Sequence, residues 1–173
     1  MSFNTDLLHA GVDREAKGAT LTPIYQSSAF EQDTAADLEK IFENKAPGFC
    51  YTRVGNPTVA AFENRITKLE GGMASIACAS GMAAIMNAIL NIVRSGDEIV
   101  SSASLYGGSI DLFRDIEEFG ITTRYVKNND WEAIEEAINE HTRLIFAETI
   151  GNPCLDVTDV ERLAQIAHEH KIP

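Results

Sequence analysis

From Asn56 onward the chain alternates between two hydrophobic periods. Asn56-Pro57 supplies an N-cap and a first-turn proline, Val59, Phe62, Ile66 and Leu69 recur at helical spacing, and Gly71 ends the run. Short apolar runs at 73–79, 98–102, 121–126 and 144–148 read as strands. Between and after them lie helix-period runs at 82–93, 109–119 (closed by Gly120), 131–139 and 159–170. Thr158 and Glu161 stand in capping-box register before the last of these. Strand and helix in turn predict a largely parallel sheet with helices on both faces, a three-layer α/β/α arrangement. Ligands of such folds sit outside the carboxyl ends of the strands. Ser80-Gly81, Tyr106-Gly107-Gly108 and the run from Glu148 to Pro153 all follow predicted strand ends, so they are expected to converge on one crevice.

Before Asn56 neither period is clean. Residues 1–30, which include Pro23, predict an extended arm. A short helix is expected over 34–43, with Leu38, Ile41 and Phe42 on one side, and the turn-rich stretch from Ala46 to Asn56 follows it. The expected organisation is therefore an N-terminal arm with a short helix, 1–56, and a sheet-forming domain, 57–173. Lys171-Ile172-Pro173 falls where another strand is due, which leads us to expect an incomplete sheet and the front part of a longer protein.

A formal charge of −12 over 173 residues argues against nucleic acid or an anionic membrane surface as partner. No apolar run approaches a membrane span, and Met1-Ser-Phe-Asn-Thr-Asp lacks the basic flank and apolar core of a secretion signal. Cys50, Cys78 and Cys154 are odd in number and far apart, so they read as free thiols in a reducing compartment, and a cytoplasmic location is expected. There is no Gly-x-Gly-x-x-Gly after a strand and no Gly-x4-Gly-Lys-Ser/Thr, which removes the usual support for dinucleotide or nucleoside-triphosphate binding. His168 and His170, two apart on a helix, face different sides; with the isolated His9 and His141 they read as surface histidines, and no metal is expected.

The candidate chemistry begins at Ser80-Gly81-Met82, where a short apolar run turns at once into a helix. Free N–H groups and the positive dipole end make such a junction an anion site, with Ser80 as N-cap. Tyr51-Thr52-Arg53 lies in an irregular stretch, where the arginine offers a planar fork for phosphate oxygens and the tyrosine a hydroxyl donor. Tyr106, followed by two glycines, can present a flat ring to a flat ligand. Asn152-Pro153 is a polar turn at a strand end. Taken singly, these are an ordinary N-cap, a solvated arginine beside a half-buried tyrosine, a capping aromatic and a turn; together they suit a phosphate-bearing ligand.

Tyr51-Thr-Arg-Val-Gly-Asn-Pro-Thr58, Leu69-Glu-Gly-Gly, Ala79-Ser-Gly-Met-Ala-Ala, Leu105-Tyr-Gly-Gly and Glu148-Thr-Ile-Gly-Asn-Pro resemble, in order and spacing, the Cys/Met-metabolism pyridoxal-phosphate enzymes. That group contains cystathionine synthases and lyases, methionine γ-lyase and the O-acetylhomoserine sulfhydrylases. The resemblance extends into the arm through Leu8-His-Ala-Gly and Pro23-Ile-Tyr-Gln. It implies an aminotransferase-like (fold type I) large domain that binds pyridoxal 5′-phosphate. By the same likeness, the N–H groups of Gly81 and Met82, beside Ser80, hold the cofactor phosphate. Tyr106 stacks on the pyridine ring and Asn152 bonds its phenolic oxygen. Tyr51 and Arg53 reach the phosphate of a neighbouring subunit, so the site would exist only in a homo-oligomer, a dimer of dimers. Tyr51 and Tyr106 lie where a phenol could assist proton transfer.

Within that family, Leu105-Tyr-Gly-Gly-Ser and Glu148-Thr-Ile-Gly-Asn-Pro resemble the sulfhydrylases. Methionine γ-lyases tend to carry a cysteine where Gly108 stands, and cystathionine enzymes more often read Thr-Pro-Ser-Asn-Pro at the later motif. The implied reaction is γ-replacement on O-acetylhomoserine: protons leave Cα and Cβ, acetate departs from Cγ, and sulfide or a thiol adds to give homocysteine or a methionine-type product. Cystathionine γ-synthase, cystathionine γ-lyase and methionine γ-lyase are the alternatives. The family's aspartate opposite the pyridine nitrogen and its Schiff-base lysine match no position here. None of Lys17, Lys40, Lys45, Lys68, Lys127 or Lys171 has the Ser-x-Thr-Lys-like setting, and Thr67-Lys68, the nearest, sits inside an amphipathic helix. These residues by themselves are therefore expected to be inactive. A reading of a different class is a non-catalytic module of the same fold that binds a partner or a phosphate.

Overall fold

The computed structural model describes residues 2–12 and 18–173; Lys17, one of the lysines weighed above, lies outside the described residues. By its internal contacts the chain divides into two units, Met1–Ala77 and Cys78–Pro173. In the first, α1 (Phe3–His9) is followed by α2 (Ala35–Phe42), capped by Thr34, and α3 (Pro57–Glu70), with Asn56 as N-cap and Gly71 left-handed at φ 63°. The arm expected to be extended thus opens with a helix. Seven residues are too few for a helix to stand alone in water. α1 is held by docking on α3: Arg65 Nε donates to the Ala10 carbonyl at 3.0 Å, and Gly11 lies so close to the Ala61 carbonyl that a Cβ there would meet it at 2.3 Å. α3, grouped by the sequence with residues 57–173, packs within this first unit.

The run at 73–79, expected to be a strand, is not one. A strand is made by its ladder partners, and none of the described residues pairs with it. Met73 is fully exposed, Ile76 is 87% exposed, and the Ala77 N–H donates to Glu63 Oε1 at 2.8 Å.

The second unit opens with α4 (Gly81–Ile92) and continues through β1 (Glu98–Ser102), α5 (Gly107–Glu117), β2 (Thr122–Val126), α6 (Trp131–Ala137), β3 (Thr142–Phe146) and α7 (Val160–Glu169). The three strands form one sheet in the order β2-β1-β3, all parallel, with a register irregularity between Glu98 and Ile99 where β1 meets β3. Successive side chains of β1 point to opposite faces. Ile99 joins Ile89, Val93, Leu105, Phe113, Ile116 and Ile121 under α4 and α5, whereas Val100 joins Ile134 and Ile166 under α6 and α7. Coverage of both faces explains why Ile99, Val100 and Ser101 are all fully buried and why the strand reads as a continuous run. The layers are α/β/α, as expected.

Two ends of this sheet are tied differently. At the amino end, Glu98 is gripped by Arg124 (Nε to Oε2 2.5 Å, Nη2 to Oε1 3.1 Å) and by Asn139 Nδ2 at 2.7 Å. At the far side, the Ile145 N–H of β3 donates to the Pro173 carbonyl at 3.0 Å, so the last residues lie along the edge of β3 that β1 leaves free. The cap of α7 is Asp159, whose Oδ1 accepts the Arg162 N–H at 3.1 Å, and not Thr158. The Thr158 hydroxyl is already committed to the Glu148 carbonyl at 2.6 Å, which leaves its neighbour to cap the helix.

Candidate functional site

Three loops carry most of the residues singled out by the sequence, and those after β1 and β3 lie at the carboxyl end of the sheet. The first is the start of α4. Ser80 is its N-cap, extended at φ −155° and ψ 161°, and its Oγ accepts the Ala83 N–H at 3.1 Å. The N–H groups of Gly81 and Met82 are taken up by no acceptor among the described residues, as befits the first turn of a helix. Ser80 and Gly81 are exposed, and a Cβ placed on Gly81 would find no atom within 4 Å. The structure therefore presents two free donors and a dipole end facing open space.

The second loop joins β1 to α5. Leu105, 1% exposed, is buried in the same cluster as Ile89 of α4 and Val93, the residue that follows the helix, and this fixes the chain just before Tyr106. Tyr106 itself is 52% exposed, and its ring lies against Gly108, where a Cβ would come within 2.5 Å of Cε1. Only glycine permits that approach. The third loop follows β3. It closes on itself through the Ile150–Val157 bridge, the Gly151 N–H to Asp156 carbonyl bond at 2.8 Å and the Thr158 N–H to Thr149 carbonyl bond at 3.0 Å. Asn152, exposed and joined to Pro153 by a cis peptide, stands on this loop with its amide free of partners among the described residues.

The second and third loops are fastened together. Glu148 Oε2 accepts the Tyr106 N–H at 2.9 Å, and Oε1 accepts the Ser109 hydroxyl at 2.8 Å. Ser104 Oγ donates to Asp156 Oδ1 at 2.5 Å, and this hydrogen bond holds the Asp156 carboxyl below its ordinary pKa. Gly151 sits behind the pair: a Cβ there would fall 2.1 Å from Ser104 Oγ. The structure thus brings Tyr106 and the Glu148–Asn152 loop to one place. No hydrogen bond among the described residues joins the Ser80 turn to Tyr106; what α4 shares with Leu105 is the core around Ile89, toward the helix's other end. A hollow lined by Val126, Asn128, Trp131, Ile134, Thr158 and Leu163 lies under the other face of the sheet and holds none of these site residues.

Tyr51 and Arg53 belong to the first unit. Residues 28–30 pair with 50–52 through the Ala29–Tyr51 bridge, the Phe30 N–H to Cys50 carbonyl bond and the Thr52 N–H to Ser28 carbonyl bond. The buried Asn56 side chain, besides capping α3, donates to the Tyr25 carbonyl at 3.0 Å and to Thr52 Oγ1 at 3.1 Å. On this frame Tyr51 is 43% exposed and Arg53 is exposed, its guanidinium carbon 5.7 Å from the Tyr51 ring centre. Both side chains face outward with their polar groups available.

Sequence reasoning missed the roles of Glu148, Ser104, Asp156 and Gly151. One signal was legible: Tyr106 is a poor N-cap residue and two glycines follow it, so this turn lacks local means of holding its shape. The residues present fit a ligand with a phosphate and a flat ring: two free N–H groups at a helix start, an exposed ring near the strand ends, and a free amide on the loop that Glu148 ties to it.

Comparison with known proteins agrees. A family model described as Cys/Met metabolism PLP-dependent enzyme matches residues 4–173. The chain is 43% identical over 175 residues to an O-acetyl-L-homoserine sulfhydrylase of Corynebacterium glutamicum, covering 99% of this chain and 40% of that protein. It is 37% identical over 167 residues to an L-methionine gamma-lyase of Fusobacterium nucleatum, covering 96% of this chain and 42% of the other. A Campylobacter jejuni crystal structure described as an O-acetylhomoserine (thiol)-lyase, carrying a pyridoxyl-lysine phosphate, superposes with a TM-score of 0.89 at 33% identity, over 99% of this chain and 43% of that one. The chain spans about 40% of the length of the curated relatives it matches. No helix among the described residues is long and apolar enough to cross a membrane. With the family model matched along nearly the whole sequence, and with the α/β/α layers and strand-end loops in place, the chain belongs to the Cys/Met-metabolism enzymes that depend on pyridoxal 5′-phosphate.

Proposed function

We propose that this chain contributes the phosphate and ring cradle of a γ-replacement enzyme that acts on O-acetylhomoserine with sulfide or a thiol, in a protein of its relatives' full length. The observation that carries this reading is the match, at 43% identity across 99% of the chain, to the O-acetyl-L-homoserine sulfhydrylase. The packing of the Tyr106 ring on Gly108 supports it over the methionine γ-lyase reading, in which a cysteine is expected at that position.

In this account the N–H groups of Gly81 and Met82 bind the phosphate, and Ser80 keeps that turn in shape by capping Ala83. Tyr106 supplies a flat surface for the pyridine ring, and Asn152 donates to its phenolic oxygen. Bound there, the cofactor supplies the electron sink that allows a proton to leave Cα of an amino acid. Arg53 and Tyr51, on the outward face of the first unit, bind the phosphate held by a second copy of the chain, so the working form is a homo-oligomer. The phenols of Tyr106 and Tyr51 are the chain's candidates for moving protons. Of the described lysines, Lys68 is fixed within α3, Lys127 follows β2 and Lys171 follows α7. None stands on the loops that carry Ser80, Tyr106 and Asn152, so these residues by themselves are expected to release no acetate.

The experiment is acetate release from O-acetylhomoserine plus sulfide, measured for this chain and for the full-length protein. Turnover by the full-length protein alone supports the proposal. Turnover by the 173-residue chain would assign the covalent role to one of its own lysines, with Lys68→Ala the first variant to make. Full-length protein that releases methanethiol from methionine, and no acetate, would replace the sulfhydrylase reading with the γ-lyase one.

A further inference from the structure

The start of α5 has an unusual cap. Tyr106 occupies the N-cap position, and its side chain accepts no N–H bond. The turn is held from another strand's end instead, because Glu148 Oε2 takes the cap residue's own N–H, that of Tyr106, at 2.9 Å and Oε1 takes the Ser109 hydroxyl at 2.8 Å. Ser109 is fully buried, and the Glu148 main-chain carbonyl accepts the Thr158 hydroxyl at 2.6 Å, so the residue is held at its backbone as well as at its carboxylate. Its two bonds straddle Gly107-Gly108, a pair with little conformational preference of its own. Negative charge at a helix start is favourable besides.

We infer that Glu148 is the positioning residue of the ring platform. Through the Tyr106 N–H and the Ser109 hydroxyl it sets where the Tyr106 ring stands, and so how well the chain stacks on a pyridine ring, without touching the cofactor itself. This rests on the cofactor reading above. Remove the carboxylate and the two glycines let Tyr106 wander, although β1, β3 and both cores stay as they are.

The test uses the 173-residue chain and pyridoxamine 5′-phosphate, which has the ring and the phosphate but no aldehyde to trap a lysine. Glu148→Ala should weaken binding about tenfold, the scale of a lost hydrogen bond to a charged group. It should also speed hydrogen exchange of the Tyr106 amide. Glu148→Gln, which keeps an acceptor for that N–H, should recover most of both. In a Tyr106→Ala background, Glu148→Ala should cost less than about twofold more, because its effect travels through the ring. An equal loss of affinity with and without Tyr106→Ala would overturn the inference, since general loosening of the fold acts in either background. A chain that binds no pyridoxamine 5′-phosphate contradicts the cofactor reading, and amide exchange then decides on Glu148. Exchange quickened by E148A and restored by E148Q upholds the role, and unchanged exchange overturns it.

Discussion

Gly81→Pro removes one N–H from the first turn of α4 and little else. Gly81 is the first helical residue, where the N–H has no intrahelical acceptor and proline fits the backbone. Ser80 before it is already extended, the conformation a residue preceding proline prefers, and its Oγ serves Ala83 and not Gly81. New ring atoms enter open space, since a Cβ at this position meets nothing within 4 Å. The fold should therefore lose less than about 1 kcal/mol, as for other exposed positions without special contacts. If the phosphate sits on the Gly81 and Met82 N–H groups, the variant loses one hydrogen bond to a charged group, about 1.5–3 kcal/mol, or roughly 10- to 100-fold in affinity. Gly81→Ala adds the same Cβ but keeps the donor, so it should bind nearly as the parent does. Calorimetric titration with pyridoxamine 5′-phosphate, run beside thermal unfolding of both variants, separates the two. Equal affinities for G81P and G81A would refute the reasoning, because the N–H would then carry no part of the binding.

Three further outcomes follow from other contacts. The Arg124 guanidinium, helped by Asn139, lowers the Glu98 pKa from an ordinary 4.5 to about 2. At full strength that shift is worth about 3 kcal/mol, and the half-exposed Arg124 reduces it to about 1 kcal/mol. A lowered carboxyl pKa stabilises the fold above pH 4.5 and ceases to do so as pH falls toward 2, so the gap in urea midpoint between the parent and Glu98→Gln should close over that window; a gap independent of pH would contradict the ion pair. Gly108→Ala should displace the Tyr106 ring, seen as shifted ring resonances, with little change in melting temperature because the ring is half-exposed and free to swing; unmoved resonances would deny the packing. If Arg53 serves the phosphate of a second copy, then in a protein of the relatives' length Arg53→Ala and Gly81→Pro subunits, each weak alone, should regain part of the activity when mixed, one intact half coming from each copy; no recovery would argue for sites complete within one chain.

Much of this architecture was legible because it rests on local signals. β1 was expected over 98–102 and is found there, and the Asn56-Pro57 start and Gly71 stop of α3 are fixed by caps written in adjacent residues. What was misread depends on distant partners. The pattern at 73–79 is apolar enough for a strand, but no pattern can supply the neighbour that a strand needs. α1 forms because α3 offers Arg65 and a close surface, more than fifty residues away in sequence. Thr158 and Asp159 are both good caps, and only the demand of the Glu148 carbonyl decides between them. The candidate site divides in the same way. The Ser80 turn and Tyr106 announce themselves by residue type, whereas the carboxylate that holds Tyr106 comes from 42 residues downstream.

The central claim is that pyridoxal cofactor binds this chain with its phosphate at the start of α4 and its ring at Tyr106. An amide NMR titration of the chain with pyridoxamine 5′-phosphate tests it most directly. The account predicts saturable shifts that are largest at Gly81 and Met82, accompanied by shifts of the Tyr106 ring protons. Shifts that fail to saturate, or that centre on the start of α3 at Thr58 or of α7 at Arg162 and leave Gly81 untouched, would contradict it.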